Sequence, residues 1–200
     1  MNYRKEIKYV LAKSELARIK EYFFLNGLEK LYPKRIINSF YYDTKNLRML
    51  NESIDGILPR KKVRFRWYDN DKSNISKEIK ISSEKGRFKK IEKLKSKDFI
   101  DFERSKFYEI NYGIVEPTLY IKYFREYFTF KKLRITFDTQ IRYSYLQSKL
   151  STSNLDNENV MEVKASDNIS NNYIEKIIHL IPSSFSKYTR GMLSFNNLKI

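Results

Sequence analysis

The sequence predicts an α+β fold: an antiparallel β-barrel tunnel with a polar, cationic lumen, covered outside by helices. Three observations carry that prediction. Segments with strand-like alternation recur, each with one ionic and one apolar face. Collected together, the ionic faces hold Arg4, Lys8, Arg60, Lys62, Arg64, Arg66, Lys80, Arg87, Lys89, Arg125, Lys132, Arg134 and Lys164 against Glu6, Glu78, Asp138 and Glu162. The segments between them carry apolar stripes at helical spacing, which can cover the oily faces of the strands. Curling the sheet puts its charges inward. An open sheet with a solvated basic face fits the same pattern and stays as the alternative at this point.

Each element has its own signal. Residues 3–11 alternate, with Arg4, Glu6 and Lys8 opposite Ile7, Tyr9 and Leu11. Ser14 is placed to cap a helix whose stripe is Leu16, Ile19, Phe23 and Phe24, closing at Asn26-Gly27. Pro33 ends the connection to a strand over 35–42, and Asp43-Thr44 is placed to cap a short helix through Leu50. Residues 60–68 give the strongest strand: Arg60, Lys62, Arg64, Arg66 and Tyr68 share one face, while Val63, Phe65 and the chain's one Trp share the other. Four cations at two-residue spacing repel one another, so that face expects an anion.

A hairpin partner follows over 75–82, with Glu78, Lys80 and Ser82 together, and a third strand over 87–93. Residues 97–112 read as a core helix through Phe99, Phe102, Phe107 and Ile110. Residues 118–128 read as a strand, 132–138 as the next, and 140–146 as a segment pairing back. After a polar loop over 148–159, residues 161–165 form a strand, and Ser170 caps a helix whose Ile174, Ile177, Ile178 and Ile181 face inward, stopped by Pro182. His179 reads as a surface or packing residue of that helix, and Asp138 as the partner of Arg134.

Length and composition fit a single domain over 1–200, with 41% hydrophobic and 16% aromatic residues to build its core. A net charge of +16 attracts polyanions without choosing among nucleic acid, anionic membrane and phosphate-rich small molecules. The absence of cysteine excludes disulfides, thiolate metal sites and cysteine nucleophiles. No apolar run approaches membrane-spanning length and no signal core opens the chain, so a cytoplasmic protein is expected.

Acids fall beside bases at two-residue spacing: Glu6 with Lys8, Glu78 with Lys80, Glu162 with Lys164. That pattern suits phosphate and a divalent metal bound together, since phosphate needs cations and the metal needs carboxylate oxygens. The arginines add planar forks that match phosphate oxygens.

These residues resemble the VTC domain, the polyphosphate-polymerase branch of the triphosphate tunnel metalloenzymes, related to the CYTH proteins. The resemblance runs nearly end to end, on Tyr3-Arg4-Lys5-Glu6-Ile7-Lys8-Tyr9, Ser39-Phe40-Tyr41-Tyr42-Asp43-Thr44, Arg64-Phe65-Arg66-Trp67-Tyr68, Glu78-Ile79-Lys80, Tyr123-Phe124-Arg125, Arg134-Ile135-Thr136-Phe137-Asp138-Thr139, Met161-Glu162-Val163-Lys164 and Ser186-Lys187-Tyr188. It implies a tunnel in which Lys8, Arg64, Arg66, Lys80, Arg125, Arg134 and Lys187 hold a triphosphate. Tyr123, Ser186, Lys89 and Lys164 are implied as further substrate contacts, and Glu162 with Glu6 as ligands of Mn²⁺ or Mg²⁺. The implied activity passes the γ-phosphoryl group of ATP to a growing polyphosphate chain, with pyrophosphate or polyphosphate as the other partner. No nucleic acid is expected, and a membrane-protein partner fits the family. Hydrolytic relatives carry E-x-E-x-K on the first strand; here Arg4 stands where the first Glu would be.

Two other readings use the same residues: a tripolyphosphatase or nucleoside triphosphatase of the same superfamily, and a non-catalytic polyphosphate-binding module. A nucleic-acid binder using the sixteen tyrosines is a further rival. The aromatics of these strands, however, mostly take the apolar face.

Overall fold

The computed structural model describes residues 4–94, 104–147 and 152–195. In chain order they form β1 (Arg4–Leu11), α1 (Lys13–Leu25), β2 (Glu29–Asp43), α2 (Arg48–Ile54), β3 (Arg60–Tyr68), β4 (Asp71–Ser83), β5 (Gly86–Lys93), β6 (Phe107–Glu109), β7 (Gly113–Phe130), β8 (Leu133–Tyr145), β9 (Ser153–Leu155), β10 (Asn159–Ser166), α3 (Asn171–Ile178) and α4 (Lys187–Leu193). The sheet order is β1-β10-β8-β7-β2-β3-β4-β5, with β6 on β7 and β9 on β8. The α+β, antiparallel class expected from the sequence is the one observed. The chain divides into two compact units. The first is Met1–Arg35, Tyr123–Ile141 and Asp156–Phe185; the second is Ile36–Lys122, Arg142–Leu155 and Ser186–Ile200.

In the first unit β10 lies between β1 and β8. Its register places Lys8 opposite Glu162 and Glu162 opposite Thr136, then Glu6 opposite Lys164 and Lys164 opposite Arg134. Strand alternation puts the intervening residues on the other face. Tyr9, Leu11, Met161, Val163, Ala165, Ile135 and Phe137 meet Phe23 of α1 and Ile174 and Ile178 of α3 there, in one buried cluster. Each large apolar side chain buried in this way stabilises by roughly 1.5–3 kcal/mol before entropy is counted. The ionic-in-rows, apolar-under-helices pattern read from the sequence therefore holds in this unit.

The second unit repeats the arrangement with β2, β3, β4 and β5. Tyr41 is opposite Arg64 and Arg64 opposite Glu78, while Lys62, Lys80 and Lys89 stand opposite one another across three strands. The reverse face carries Phe40, Tyr42, Val63, Phe65 and Trp67, a buried aromatic cluster. Asp43, fully buried, accepts from the Met49 and Leu50 amides at 2.9 Å each and so satisfies first-turn amides of α2, but the N-cap position is Leu47 and the helix runs Arg48–Ile54 rather than ending at Leu50. Tyr188 of α4 donates its hydroxyl to the same carboxylate at 2.6 Å. The approach of α4 is close: a Cβ on Gly191 would stand 2.5 Å from Tyr143 Cδ1 and 2.7 Å from Leu119 Cδ2. Gly191→Ala is expected to cost about 1–3 kcal/mol by overpacking. Urea unfolding of the two proteins, compared at equal m-value, checks it.

Several expectations are corrected. Ser14 lies inside α1; Ala12 is the cap position, and its amide donates to Glu15 Oε2 at 2.8 Å, which does the work assigned to a serine. Pro33 sits within β2, whose first seven residues are exposed, so its missing N–H interrupts nothing buried. The segment expected over 140–146 does not pair back: residues 140–145 continue β8, and Leu146 lies beyond its end. The helix expected over 97–112 is overturned in its described part: Phe107–Glu109 is a strand paired with β7, and the residues before 104 lie outside the described ones. Lys132 occupies a turn with φ +69 rather than a strand. Ile181 is 89% exposed, because α3 has already ended at Ile178. His179 takes the left-handed C-cap of that helix, φ +51, and is exposed, in keeping with the surface half of its expected role. Ser170 caps α3 as expected, accepting from the Tyr173 amide. Among the described residues no helix is long and apolar enough to cross a membrane.

Candidate functional site

The predicted site residues fall into two clusters, one in each unit. In the first unit the ionic face of β1, β10 and β8, with Arg125 of β7, forms a dense network. Arg125 grips Asp138 with two bonds, Nε to Oδ1 at 2.5 Å and Nη2 to Oδ2 at 2.7 Å, and lies 3.8 Å from Glu162 Oε2. Asp138 thus pairs with Arg125, not with Arg134 as the sequence suggested; the partner is a residue of a neighbouring strand. Lys164 Nζ reaches Glu162 Oε1 at 2.8 Å. Lys8 Nζ donates to the Phe185 carbonyl at 2.9 Å and stands 3.5 Å from Glu6 Oε1. The Arg125 guanidinium lies over Tyr123, 5.4 Å from the ring centre, and that of Arg134 lies over Tyr127 at 5.7 Å.

Burial works against ionisation of Glu162, but the positive charges of Arg125, Lys164 and Lys8 outweigh it and hold its carboxyl well below the usual range. The Arg125 guanidinium is held charged by Asp138, Tyr123 and Glu162 in spite of its burial. Two buried polar atoms of this face, Arg134 Nε and Thr136 Oγ1, have no hydrogen-bond partner among the described residues.

In the second unit Glu78, buried, is the hub. Arg64 bonds Glu78 Oε2 through Nε at 2.7 Å and Nη2 at 2.5 Å; Lys89 Nζ bonds Oε1 at 2.7 Å; Arg66 Nη1 stands 3.8 Å from Oε2. Burial opposes the charge on Glu78, yet Arg64, Arg66 and Lys89 together hold the carboxyl far below its ordinary value. Arg66 Nε donates to Ser39 Oγ at 3.1 Å, and Arg64 Nη1 to the Tyr41 hydroxyl at 2.6 Å. Ser186 caps α4, accepting from the Thr189 amide, and its Oγ also accepts from Lys62 Nζ at 2.8 Å. Lys187 follows at the first position of the helix.

The structure therefore brings together Lys8, Glu6, Tyr123, Arg125, Arg134, Glu162 and Lys164 in the first cluster. The second holds Arg64, Arg66, Lys80, Lys89, Ser186 and Lys187. Sequence reasoning missed Tyr41 and Ser39, whose signal was the parity of β2: odd-numbered residues there share the face of Arg64 and Arg66. Lys62, which the sequence placed on the ionic face without assigning it to the site, touches Ser186.

The sequence matches the model of the VTC domain over residues 3–196. The chain belongs to the VTC domain family. No curated protein matches the sequence. Among solved structures, this VTC domain is similar to a proposed adenylyl cyclase from Hippeastrum with a dominant triphosphatase activity, at TM-score 0.59 and 13% identity, covering 96% of each chain. It is similar to a protein of Pyrococcus horikoshii OT3, at TM-score 0.57 and 12% identity over 98% of this chain and 99% of that one. It is also similar to a proposed adenylate cyclase from Vibrio parahaemolyticus, at 0.54 and 14% over 96% and 98%. At these identities the likeness shows the fold that the chain shares with these three structures.

The resemblance read from the sequence implies a divalent metal. Among the described residues of this VTC domain no three His, Cys, Asp or Glu side chains gather as a cage. Its donors are hard oxygens: Glu162, Glu6 two rungs away on β1, and the partnerless Thr136 hydroxyl directly opposite Glu162. That set fits Mg²⁺ or Mn²⁺ held by one or two carboxylates and completed by substrate phosphates.

Proposed function

We propose that this VTC domain, one domain over 1–200, is an ATP-dependent polyphosphate polymerase. A terminal oxygen of the polyphosphate chain attacks the γ-phosphorus of ATP. The bond from that phosphorus to the β,γ-bridging oxygen breaks, a new P–O bond lengthens the chain by one phosphate, and ADP leaves. The step needs positioning and charge neutralisation more than a nucleophilic side chain.

One observation carries the choice of acceptor. The buried acids of both clusters, Asp138, Glu162 and Glu78, are each held in ion pairs, and the carboxyls of Glu162 and Glu78 sit below their ordinary range. Such carboxylates are weak bases, poorly suited to deprotonating water, whereas a phosphate acceptor arrives already anionic.

In this reading Lys8, Arg125 and Arg134 of the first cluster and Arg64, Arg66, Lys80 and Lys187 of the second bind phosphate oxygens. Tyr123, Ser186, Lys89 and Lys164 add contacts. Glu162 and Glu6 would hold Mn²⁺ or Mg²⁺, which when bound supplies Lewis-acid neutralisation of the phosphate oxygens. The triphosphatase activity of the Hippeastrum neighbour favours a second reading, hydrolysis of the same substrate class.

Incubating the protein with ATP and Mn²⁺ separates the two. Polymerisation gives ADP and phosphate chains that grow with time; release of orthophosphate with no chain product sinks the polymerase reading.

A further inference from the structure

We infer that Tyr41 is a phosphate-contacting residue of the second cluster, its phenol donating its proton to an oxygen of the bound phosphate chain. This rests on the reading that the cluster binds phosphate.

The geometry comes first. Tyr41 stands opposite Arg64 in the β2–β3 register, so its side chain shares the face of Arg64, Arg66 and Glu78. Its ring stacks on that of Tyr188, with centroids 5.2 Å apart and planes 11° from parallel, which fixes where the hydroxyl points. The hydroxyl oxygen accepts from Arg64 Nη1 at 2.6 Å. A phenol that accepts from a guanidinium keeps its own proton to donate, and among the described residues nothing accepts it. An anion gripped by Arg64 would lie within reach of that proton.

The two stacked tyrosines have been driven apart. Tyr188 donates to the Asp43 carboxylate, and burial together with that negative charge pushes its phenol well above the ordinary value. Burial alone would raise Tyr41 as well, but Arg64 and Arg66, the Arg64 hydrogen bond and Lys187 bring it down to about 8. Pairs of groups pushed apart by their surroundings mark proton donors and acceptors.

The charged and titratable groups around Tyr41 are Arg64 and Arg66 from β3 and Lys187 and Tyr188 from α4, with Glu78 of β4 and Lys89 of β5 joined to it through the arginines and Asp43 behind Tyr188. Glu78 is ionised throughout the neutral range. Lys89, lowered by burial, loses charge in the same direction as pH rises, so the comparison with Tyr41→Phe isolates the phenol.

The sign follows. In the free protein the surrounding cations favour the phenolate. A bound phosphate chain brings negative charge and uses the proton, so binding raises the Tyr41 pKa, and affinity weakens as pH rises through about 8. For one such proton the loss is about tenfold between pH ~7 and ~9.

The experiment is a tyrosinate absorbance titration of the full chain, with and without inorganic tripolyphosphate, beside calorimetric tripolyphosphate affinities at both ends of that range for wild type and Tyr41→Phe. The substitution keeps the stacked ring and removes only the hydroxyl. The expected result is a single-tyrosine step near pH 8 among sixteen tyrosines, absent in Tyr41→Phe and moved above pH ~9 by tripolyphosphate. The wild-type affinity, measured relative to the variant, falls about tenfold over the range, and the ionisation of the phosphate chain itself cancels in that ratio. If Tyr41→Phe does not fold, the ligand-driven shift of the wild-type step decides alone. Absence of the step, its persistence in the variant, or a step that saturating tripolyphosphate leaves in place overturns the inference. Loss of the polymerase reading alone would leave the ligand-driven shift intact, whereas failure of tripolyphosphate to bind at all overturns both.

Discussion

Glu162→Gln is expected to lower turnover of ATP by about a hundredfold or more, while tripolyphosphate still binds. Glutamine keeps the shape of the side chain and removes its charge. In β10 that charge faces Lys8 in the opposite strand, Lys164 Nζ at 2.8 Å and Arg125 at 3.8 Å. Without it the cations of the first cluster gain net positive charge, so a polyanion is held as well as before or better. A divalent ion held as proposed would lose its most buried carboxylate, and its affinity would fall. Measuring Mn²⁺ binding by electron paramagnetic resonance, alongside tripolyphosphate calorimetry and steady-state turnover, separates these effects. Loss of polyanion binding equal to the loss of turnover would remove Glu162 from the metal role and make it a structural hub. Unchanged turnover would remove it from the site altogether.

Glu78→Gln is expected to produce the largest loss of stability, about 3 kcal/mol, because it leaves Arg64, Arg66 and Lys89 crowded around a buried position with no anion among them. For a chain of this size that is a fall in Tm of roughly 6–12 °C. Tripolyphosphate is expected to restore much of it, since an anion at a hundred times its Kd adds about 2.7 kcal/mol.

The pH dependence has a definite sign. The folded pKa of Glu78 is depressed, so its contribution is complete above the unfolded value of about 4.5 and is lost as pH falls below it. The gap between wild type and variant should therefore close on acidification and hold across the mildly acidic to neutral range, below the Tyr41 step near pH 8. Thermal unfolding of both proteins across that range tests it, and a gap that widens in acid contradicts the assignment of Glu78 as the cluster's counter-ion.

Which parts of this molecule were readable in its sequence follows from the range of the interactions involved. The period of two along residues 60–68 needs only the strand itself, so β3 and its division into an arginine face and an aromatic face were legible residue by residue. The choice of Arg125 over Arg134 as the partner of Asp138 depends on the side-chain reach between neighbouring strands, which no local pattern encodes. Tyr41 escaped for the same reason: its motif was visible, but the charges that define its role come from β3 and α4.

The expected helix over 97–112 shows how a real pattern can mislead. In its described part, Phe107 packs against the rings of Tyr42 and Phe65, 5.0 and 5.8 Å away. A three-residue strand is too short to display an alternation of its own, so the wider spacing of apolar residues read as helical. The run of alternation that began at Lys132 overreached by one residue. Lys131 and Lys132 both have positive φ, a hairpin turn built without glycine.

The pairing of β1 with β10 sets a timetable for synthesis. Tyr9 faces Met161 and Ile7 faces Val163, partners about 150 residues later in the chain, so at ribosomal speed β1 waits roughly 10–30 s for the strand that covers it. During that interval an apolar strand with open edges could recruit the wrong neighbour, and the charges of Glu6 and Lys8 on alternate positions discourage it. The residues proposed to serve phosphate chemistry in the mature domain thus protect the nascent chain first, which ties the yield of soluble protein to the same side chains as its activity.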